Sequence, residues 1–396
     1  MNKNIDALVN IANKSTRKII GLMSGTSLDG LDIALCSVSG NGMHTNIIID
    51  AFETVNYSID FKANVKEIFS KQTVDLQQVC LMNAFIGTLH AKMIKETLSK
   101  WNIGADEVDI IASHGQTIYH APKILHKKQG FGNATLQIGD ADHIAVQTGI
   151  ITISDFRQKH IAAGGEGAPL AVYGDYLIFS SSEENRIMLN IGGISNFTYL
   201  PKTLDSSVVF STDVGPGNTI MDAYVQQNFT GLYYDKDAAI ALQGSVNNDL
   251  LIALKSDDYF AKPMPKTTGP ELFNLEYVKT AQEKSKTVNI SHYDCMATLN
   301  KFTADVIVDA LKLTMQQQDY VIYSSGGGMH NPLVMKYMQE SLPYIEFKNT
   351  NDLSIHPDAK EAVLFAVLAN ECLVGGNTRL SNGISNVTMG KISFPW

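Results

Sequence analysis

The sequence is short of cysteine, of clustered basic charge and of long apolar runs. Its four cysteines, Cys36, Cys80, Cys295 and Cys372, lie far apart and follow no metal-ligand spacing. They read as reduced and mostly buried thiols, which places the chain in a reducing cytoplasm. The net charge is −9 and no basic block breaks it, which argues against nucleic acid as a main partner. The apolar run AVLFAVLA (362–369) is too short to span a bilayer. The opening residues, MNKNIDALVNIANKSTRK, are too polar and interrupted for a signal peptide. No low-complexity linker separates one part from another, so domain boundaries rest on pattern alone.

What is present is enough for two ordinary domains. The chain has 396 residues, 44% of them hydrophobic, which is ample for packed cores. The organising stretch is IIGLMSGTSLDGLDIALC (19–36). Its apolar flanks read as two strands joined by a tight polar turn. Gly25 and Gly30 let a ligand approach the main chain. The hydroxyls of Ser24, Thr26 and Ser27 can donate to phosphate oxygens, and Asp29 can hold a metal ion or its waters. No Gly-Lys-Ser/Thr follows, so this is not a P-loop. Spacing alone fits an ordinary hairpin equally well.

The rest of the chain alternates. A short helix is expected over 4–14, a strand over 46–57 and a long helix over 75–101, where apolar residues recur at helical spacing. VDIIAS (108–113) reads as a buried strand ending in His114-Gly115-Gln116-Thr117, the strand terminus where open α/β sheets bind ligands. Residues 136–149 read as strand, loop and helix. ITISDFR (151–157) reads as a strand ending in Asp155 and Arg157. A Gly-rich loop (162–169) leads to a helix over 170–180, with Pro169 near its start. RIMLNIGGISNFTYL (186–200) repeats the strand-turn-strand pattern of 19–36, a weak sign of an internal repeat. Asp213 then falls at a strand end before a Gly-Pro-Gly turn. Helices are expected over 245–262, about 294–315 and 358–375, with VIYSSGGGMHNPLV (321–334) as strand, glycine turn and helix. The tail, GISNVTMGKISFPW, reads as irregular.

Ten segments in order, among them GLMSGTSLDGLD (21–32), SHGQTIYHAP (113–122), IAAGGEGAPL (161–170), LNIGGISN (189–196), DVGPGN with MDAY (213–224), SSGGGMHNP (324–332) and DAKEAVLFAVLA (358–369), resemble the anhydro-N-acetylmuramic acid kinase family. The resemblance implies the α/β, two-domain actin/hexokinase-like fold. Each domain would carry a mixed five-stranded sheet flanked by helices, with the active site in the cleft between them. The first domain would span 1–183, completed by 371–396, and the second 184–370. Four positions depart from the family's usual residue: His160 for Asp, Glu166 for Gln, Val214 for Thr and Pro270 for Arg.

By the same resemblance, ATP phosphates lie against Gly25, Thr26, Ser27, Leu28, Asp29, Gly30, Leu31 and Asp32 and against a second turn at Gly192 and Gly193. Gly326, Gly327, Gly328 and Asn331 take the adenosine side, and Asp29 acts through Mg2+. Asp213 becomes the base that activates water, although a lone Asp before a turn is more often a cap. His114 and Gln116 are candidate sugar contacts. Arg157 is a candidate for the lactyl carboxylate, which a guanidinium fits bidentately; a structural salt bridge is as good a reading on pattern alone. Glu361 is a second candidate carboxylate, or simply an acid favouring a helix start.

The implied activity is an ATP-dependent kinase that opens the anhydro ring with water and phosphorylates O6, in cell-wall sugar recycling. The expected partners are ATP and a small amino sugar, without nucleic acid or membrane, and a homodimer is left open. Two alternatives stay open: a kinase of the same fold acting on a plain sugar hydroxyl, and a nucleotide-switched binding protein of the actin or chaperone type.

Overall fold

The structure is a computed structural model that describes residues 2–168, 170–315, 319–375 and 388–396. It divides into two units, residues 1–179 with 354–396, and residues 180–353. Pro169 and the first part of the tail, 383–387, lie outside the described residues.

The first unit is built on β1 (Thr16–Ser24), β2 (Gly30–Ser39), β3 (Asn46–Asn56), β4 (Ile110–Ala121), β5 (Ala134–Ile138) and β6 (Thr152–Ser154). β1, β2 and β3 form an antiparallel meander, and β4 and β6 add in parallel on the other side of β1. β2 is buried along nearly its whole length, as a central strand must be, whereas β3 alternates exposed and half-buried residues, the mark of an edge. The second unit repeats the order with β7 (Asn185–Ile191), β8 (Ile194–Leu200), β9 (Phe210–Pro216), β10 (Tyr320–Ser325) and β11 (Glu346–Asn349). Here β7, β8 and β9 are the antiparallel meander, and β10 and β11 the parallel strands. The loose echo between 19–36 and 186–200 is therefore the first hairpin of the same topology, used twice.

The second sheet has the expected five strands, but the first has seven. β5 pairs antiparallel with the far half of β4. β12 (Lys391–Ser393) pairs with β6, so part of the tail read as irregular is an edge strand. Three residues are too short a run for period-2 alternation to register.

The unit boundary also differs from the expected one at the C-terminal side, because the helix Lys360–Val374 belongs whole to the first unit. Every residue from Ala362 to Glu371 is buried, so this is a core helix, apolar all round. It crosses β1 at Gly21, where a Cβ would stand 1.9 Å from the Ala362 carbonyl oxygen. Only glycine admits a backbone that close. Ile20 and Leu22, on the opposite face of β1, pack with Met82, Ile86 and Ile94 of the long helix Leu76–Trp101. The first sheet thus carries helices on both faces. No described helix is long and apolar enough to cross a membrane.

Candidate active site

In each unit the candidate residues gather at one edge of the sheet, where the parallel strands end. In the first unit this edge carries the β1–β2 turn, the far part of β4 and the chain leaving β6. The turn runs from Gly25 to Asp29 and is closed by the Leu28 amide donating to the Gly25 carbonyl at 3.3 Å. Leu28 adopts a left-handed conformation (φ 59°) and buries its side chain, while Thr26, Ser27 and Asp29 are exposed. Burying Leu28 anchors the turn and presents its hydroxyls and carboxylate outward. Asp32 is half-buried on β2. Its pKa is raised, chiefly by burial and also by Asp358 and Asp29, against a 2.6 Å hydrogen bond from Thr54.

β4 does not stop before His114-Gly115-Gln116, as the sequence suggests, but runs through it. Gly115 has φ 74°, and the pairing with β1 slips between Leu22 and Ser24. A regular strand would put His114 and Gln116 on one face. The irregularity puts them on opposite faces. His114 lies against Phe365 of the last helix, ring centroids 4.7 Å apart. Gln116 points the other way, fully buried, and its Oε1 accepts from the Ser24 hydroxyl at 2.5 Å. With its Nε2 also donating to the Thr117 and Gly25 carbonyls, Gln116 ties the β1–β2 turn to β4.

Arg157 lies not on a strand but in the first turn of the helix Phe156–Ala162. Its Nε donates to His114 Nε2 at 3.1 Å, and its Nη1 donates to the Gly167 carbonyl at 2.7 Å. The Gly167 amide in turn donates to Nδ1 of buried His160 at 2.9 Å. His160, one of the departures from the family pattern, therefore braces the Gly-rich loop, and the loop braces Arg157. Burial, and then the Arg157 charge, hold His114 down at about 3, so the ring is neutral. Burial also lowers the Arg157 pKa, with Glu361 acting against it. Glu361, in the first turn of the last helix, keeps contact with solvent. The protein packed round it raises its pKa, helped by Asp32 and Asp175 and opposed by Lys360 and Arg157.

In the second unit the same edge carries the Gly192–Gly193 turn, Asp213 and the glycine loop after β10. The Gly192 and Gly193 carbonyls accept from the amides of Asn218 at 2.8 Å and of Gly217 and Thr219 at 2.9 and 3.1 Å, which ties the turn to the start of the helix Thr219–Asn228. Gly328 of the triple-glycine loop lies against Ile191, the last residue of β7. Asn331 is the N-cap of the helix Pro332–Ser341: its Oδ1 accepts from Leu333 and Val334 amides, and its Nδ2 donates to Asn300 at 2.7 Å. Its side chain is committed to structure.

Asp213 stands inside β9, three residues before its end, rather than at the strand terminus. Its Oδ2 accepts the Thr268 amide at 2.9 Å, and its own amide donates to the Lys266 carbonyl at 2.9 Å. The proline-rich loop 262–271 thus runs alongside β9 and orients the carboxylate. Burial raises the Asp213 pKa, with Glu271 adding to the shift and the Thr268 bond opposing it. Asp222, in the MDAY segment, is pushed up to about 6 by burial.

Sequence does not single out Thr268 and Glu271, nor Tyr57, whose hydroxyl donates to Ser24 Oγ at 2.8 Å, nor His90, whose Nε2 lies 2.8 Å from that hydroxyl. His90 carried a signal: it interrupts the apolar stripe between Ile86 and Ile94 at helical spacing. Thr268 carried none, since only its backbone acts.

A β-turn-β entry followed by two parallel strands, present in each of two α/β units with Gly-rich turns at the same sheet edge, defines the actin/hexokinase-like class of ATPases and phosphotransferases. The family profile described as "Anhydro-N-acetylmuramic acid kinase" matches residues 17–393. A curated "Anhydro-N-acetylmuramic acid kinase" from Pseudoalteromonas atlantica is 58% identical, with both chains covered in full. One of the same name from Pseudoalteromonas translucida is 56% identical over the full length of both chains. Another, from Caldanaerobacter subterraneus subsp. tengcongensis, is 38% identical over 98% of this chain and all of its own. The chain belongs to the anhydro-N-acetylmuramic acid kinase family.

Proposed function

We propose that the chain is an ATP-dependent kinase that opens 1,6-anhydro-N-acetylmuramic acid with water and phosphorylates O6, giving N-acetylmuramic acid 6-phosphate and ADP. The observation that carries the reading is Asp213: a carboxylate of raised pKa, oriented by the Thr268 amide, at the sheet edge that also bears the Gly-rich turns. Such a group suits a general base. Asp213 takes a proton from water as the water oxygen bonds to the anomeric carbon and the bond from that carbon to O6 breaks. The freed O6 bonds to the γ-phosphorus, whose bond to the bridging oxygen of ADP breaks. An inverting glycosidase needs a base and a separate acid. Here phosphorus takes the place of the acid, so one carboxylate suffices.

The 25–32 turn would hold the ATP phosphates with backbone amides and hydroxyls. Among the described residues no three acidic, His or Cys side chains stand together as a metal site. Magnesium is commonly held by one or two carboxylates together with substrate phosphates, and exposed Asp29 beside half-buried Asp32 fits that arrangement. When bound, the ion would neutralise charge on the transferring phosphoryl group. Arg157, anchored through Nε and Nη1, would present its remaining N–H groups to the lactyl carboxylate. The family's sugar and ATP would place the activity in the cytoplasm.

The mass of the product tests the reading. Ring opening adds water as well as phosphate. A product lighter by one water molecule would instead establish the kinase of a plain hydroxyl, and ADP release without any sugar product would establish the nucleotide switch.

A further inference from the structure

Behind the β1–β2 turn lies a chain of buried polar groups that the reaction does not use. His90, fully buried in the helix Leu76–Trp101, has its Nε2 2.8 Å from the Tyr57 hydroxyl. The Tyr57 hydroxyl donates to Ser24 Oγ at 2.8 Å. Ser24 donates to Gln116 Oε1 at 2.5 Å, and Gln116 Nε2 donates to the Thr117 carbonyl at 3.3 Å and to the Gly25 carbonyl at 3.4 Å. A hydroxyl has one proton to give. Ser24 gives its proton to Gln116, so Tyr57 must give its own to Ser24. Tyr57 then accepts from His90, whose proton is on Nε2. Burial holds the His90 pKa down at about 4, in keeping with a neutral ring. The donors therefore run from the core helix to Gln116, whose two N–H groups serve the Thr117 carbonyl and the first carbonyl of the turn, the one that also accepts the Leu28 amide.

That carbonyl matters because a peptide unit is planar and trans. Fixing the direction of the Gly25 carbonyl fixes the Thr26 N–H in the opposite direction. We infer that His90 and Tyr57 are positioning residues for nucleotide binding: through Ser24 and Gln116 they set the Gly25–Thr26 peptide plane and so aim the Thr26 amide at a phosphate oxygen of ATP. The inference rests on the assignment of this turn to ATP phosphates, and it concerns nucleotide affinity, not the sugar. His90 and Tyr57 touch neither ligand. The Tyr57 ring is separately held by stacking on Phe61 at 4.1 Å, so removal of its hydroxyl leaves its packing in place.

Calorimetric titration of the intact protein with Mg-ATP, and separately with the anhydro sugar, tests this. Tyr57→Phe and His90→Leu should each weaken ATP by roughly tenfold, the scale of one oriented hydrogen bond, and leave sugar affinity within about twofold. His90→Gln places an amide donor near the Nε2 position and should bind ATP within about threefold of wild type. In steady state the loss should appear in KM for ATP and not in KM for the sugar. Should Tyr57→Phe fold poorly, the His90→Leu and His90→Gln pair decides. ATP affinity within about twofold of wild type for His90→Leu would overturn the inference, and so would parallel weakening of both ligands, which marks a merely structural network. A wild-type protein that binds ATP but makes no sugar phosphate would refute the proposed reaction while leaving this measurement intact.

Discussion

Arg157 donates through Nε to Nε2 of His114 at 3.1 Å. That bond has consequences for both residues. It fixes the His114 proton on Nδ1, and it uses one edge of the guanidinium inside the protein. Together with the bond from Nη1 to the Gly167 carbonyl, it turns a flexible cation into a fixed one. The orientation is built by β4, by the helix after β6 and by the Gly-rich loop.

The first prediction follows from that geometry. Arg157→Lys keeps the charge but cannot make both anchoring bonds and still present donors in a plane. KM for the sugar should rise by roughly tenfold or more, with a smaller change in KM for ATP. Steady-state kinetics with each substrate varied in turn would check it. Equal effects on both would mean that Arg157 acts only as a structural tie.

Asp213→Asn keeps the size and one oxygen of the side chain but cannot accept the water proton. Turnover should fall by roughly 10²–10⁴-fold with both ligands still bound. In the wild type the base must be ionised, so kcat should rise with pH through the Asp213 pKa, which burial and Glu271 raise above the ordinary carboxylate value. Glu271→Gln removes one source of that shift and should move the acid limb of the pH–rate profile to lower pH. A limb that stays fixed, or moves up, would show that another group controls it.

Gly21→Ala should be among the most damaging single methyl additions in the chain. The new Cβ would meet the Ala362 carbonyl oxygen at 1.9 Å and the Ala366 amide nitrogen at 3.1 Å. Both are backbone atoms of a buried helix, so neither gives way cheaply. A loss of about 3 kcal/mol or more in urea unfolding is expected, at the upper end of overpacking effects. A variant with wild-type stability would mean that the helix is not seated on β1 in solution.

His90 also makes a pH prediction. Its pKa is lowered from 6.5 to about 4 in the folded chain. As pH falls, the unfolded chain takes up this proton first. The neutral buried ring's contribution is therefore complete above the unfolded pKa and is lost as pH falls from 6.5 towards 4. His90→Gln has no such proton. The unfolding free energy of wild type should decline relative to the variant by up to ~1.4 kcal/mol per pH unit across that window. Parallel pH–stability curves would mean that His90 titrates normally in the folded protein.

Sequence by itself determined the elements and their order of use. The strand-turn-strand patterns in 19–36 and 186–200 and the helices expected over 75–101 and about 294–315 rest on local pattern, and the structure has strands and helices there. The polar turns between those strands were equally legible, because Gly, Ser and Asp change the pattern within a few residues. Tertiary structure decided the facing and the partners. His114 and Gln116 stand two apart on one strand, yet the irregularity at Gly115 turns them to opposite faces, and alternation alone cannot reveal an interrupted register. Asp213 finds its orienting amide at Thr268, fifty-five residues on, and a backbone donor leaves no trace in side-chain identity. The Asn331 side chain caps the helix that begins at Pro332 and reaches Asn300, thirty-one residues back. The two further strands of the first sheet, the return of the last helix to Gly21 and the His90–Tyr57–Ser24–Gln116 chain likewise depend on contacts between residues distant in sequence. Local periodicity specifies what a segment is; which buried donor meets which acceptor is set only when the segments pack.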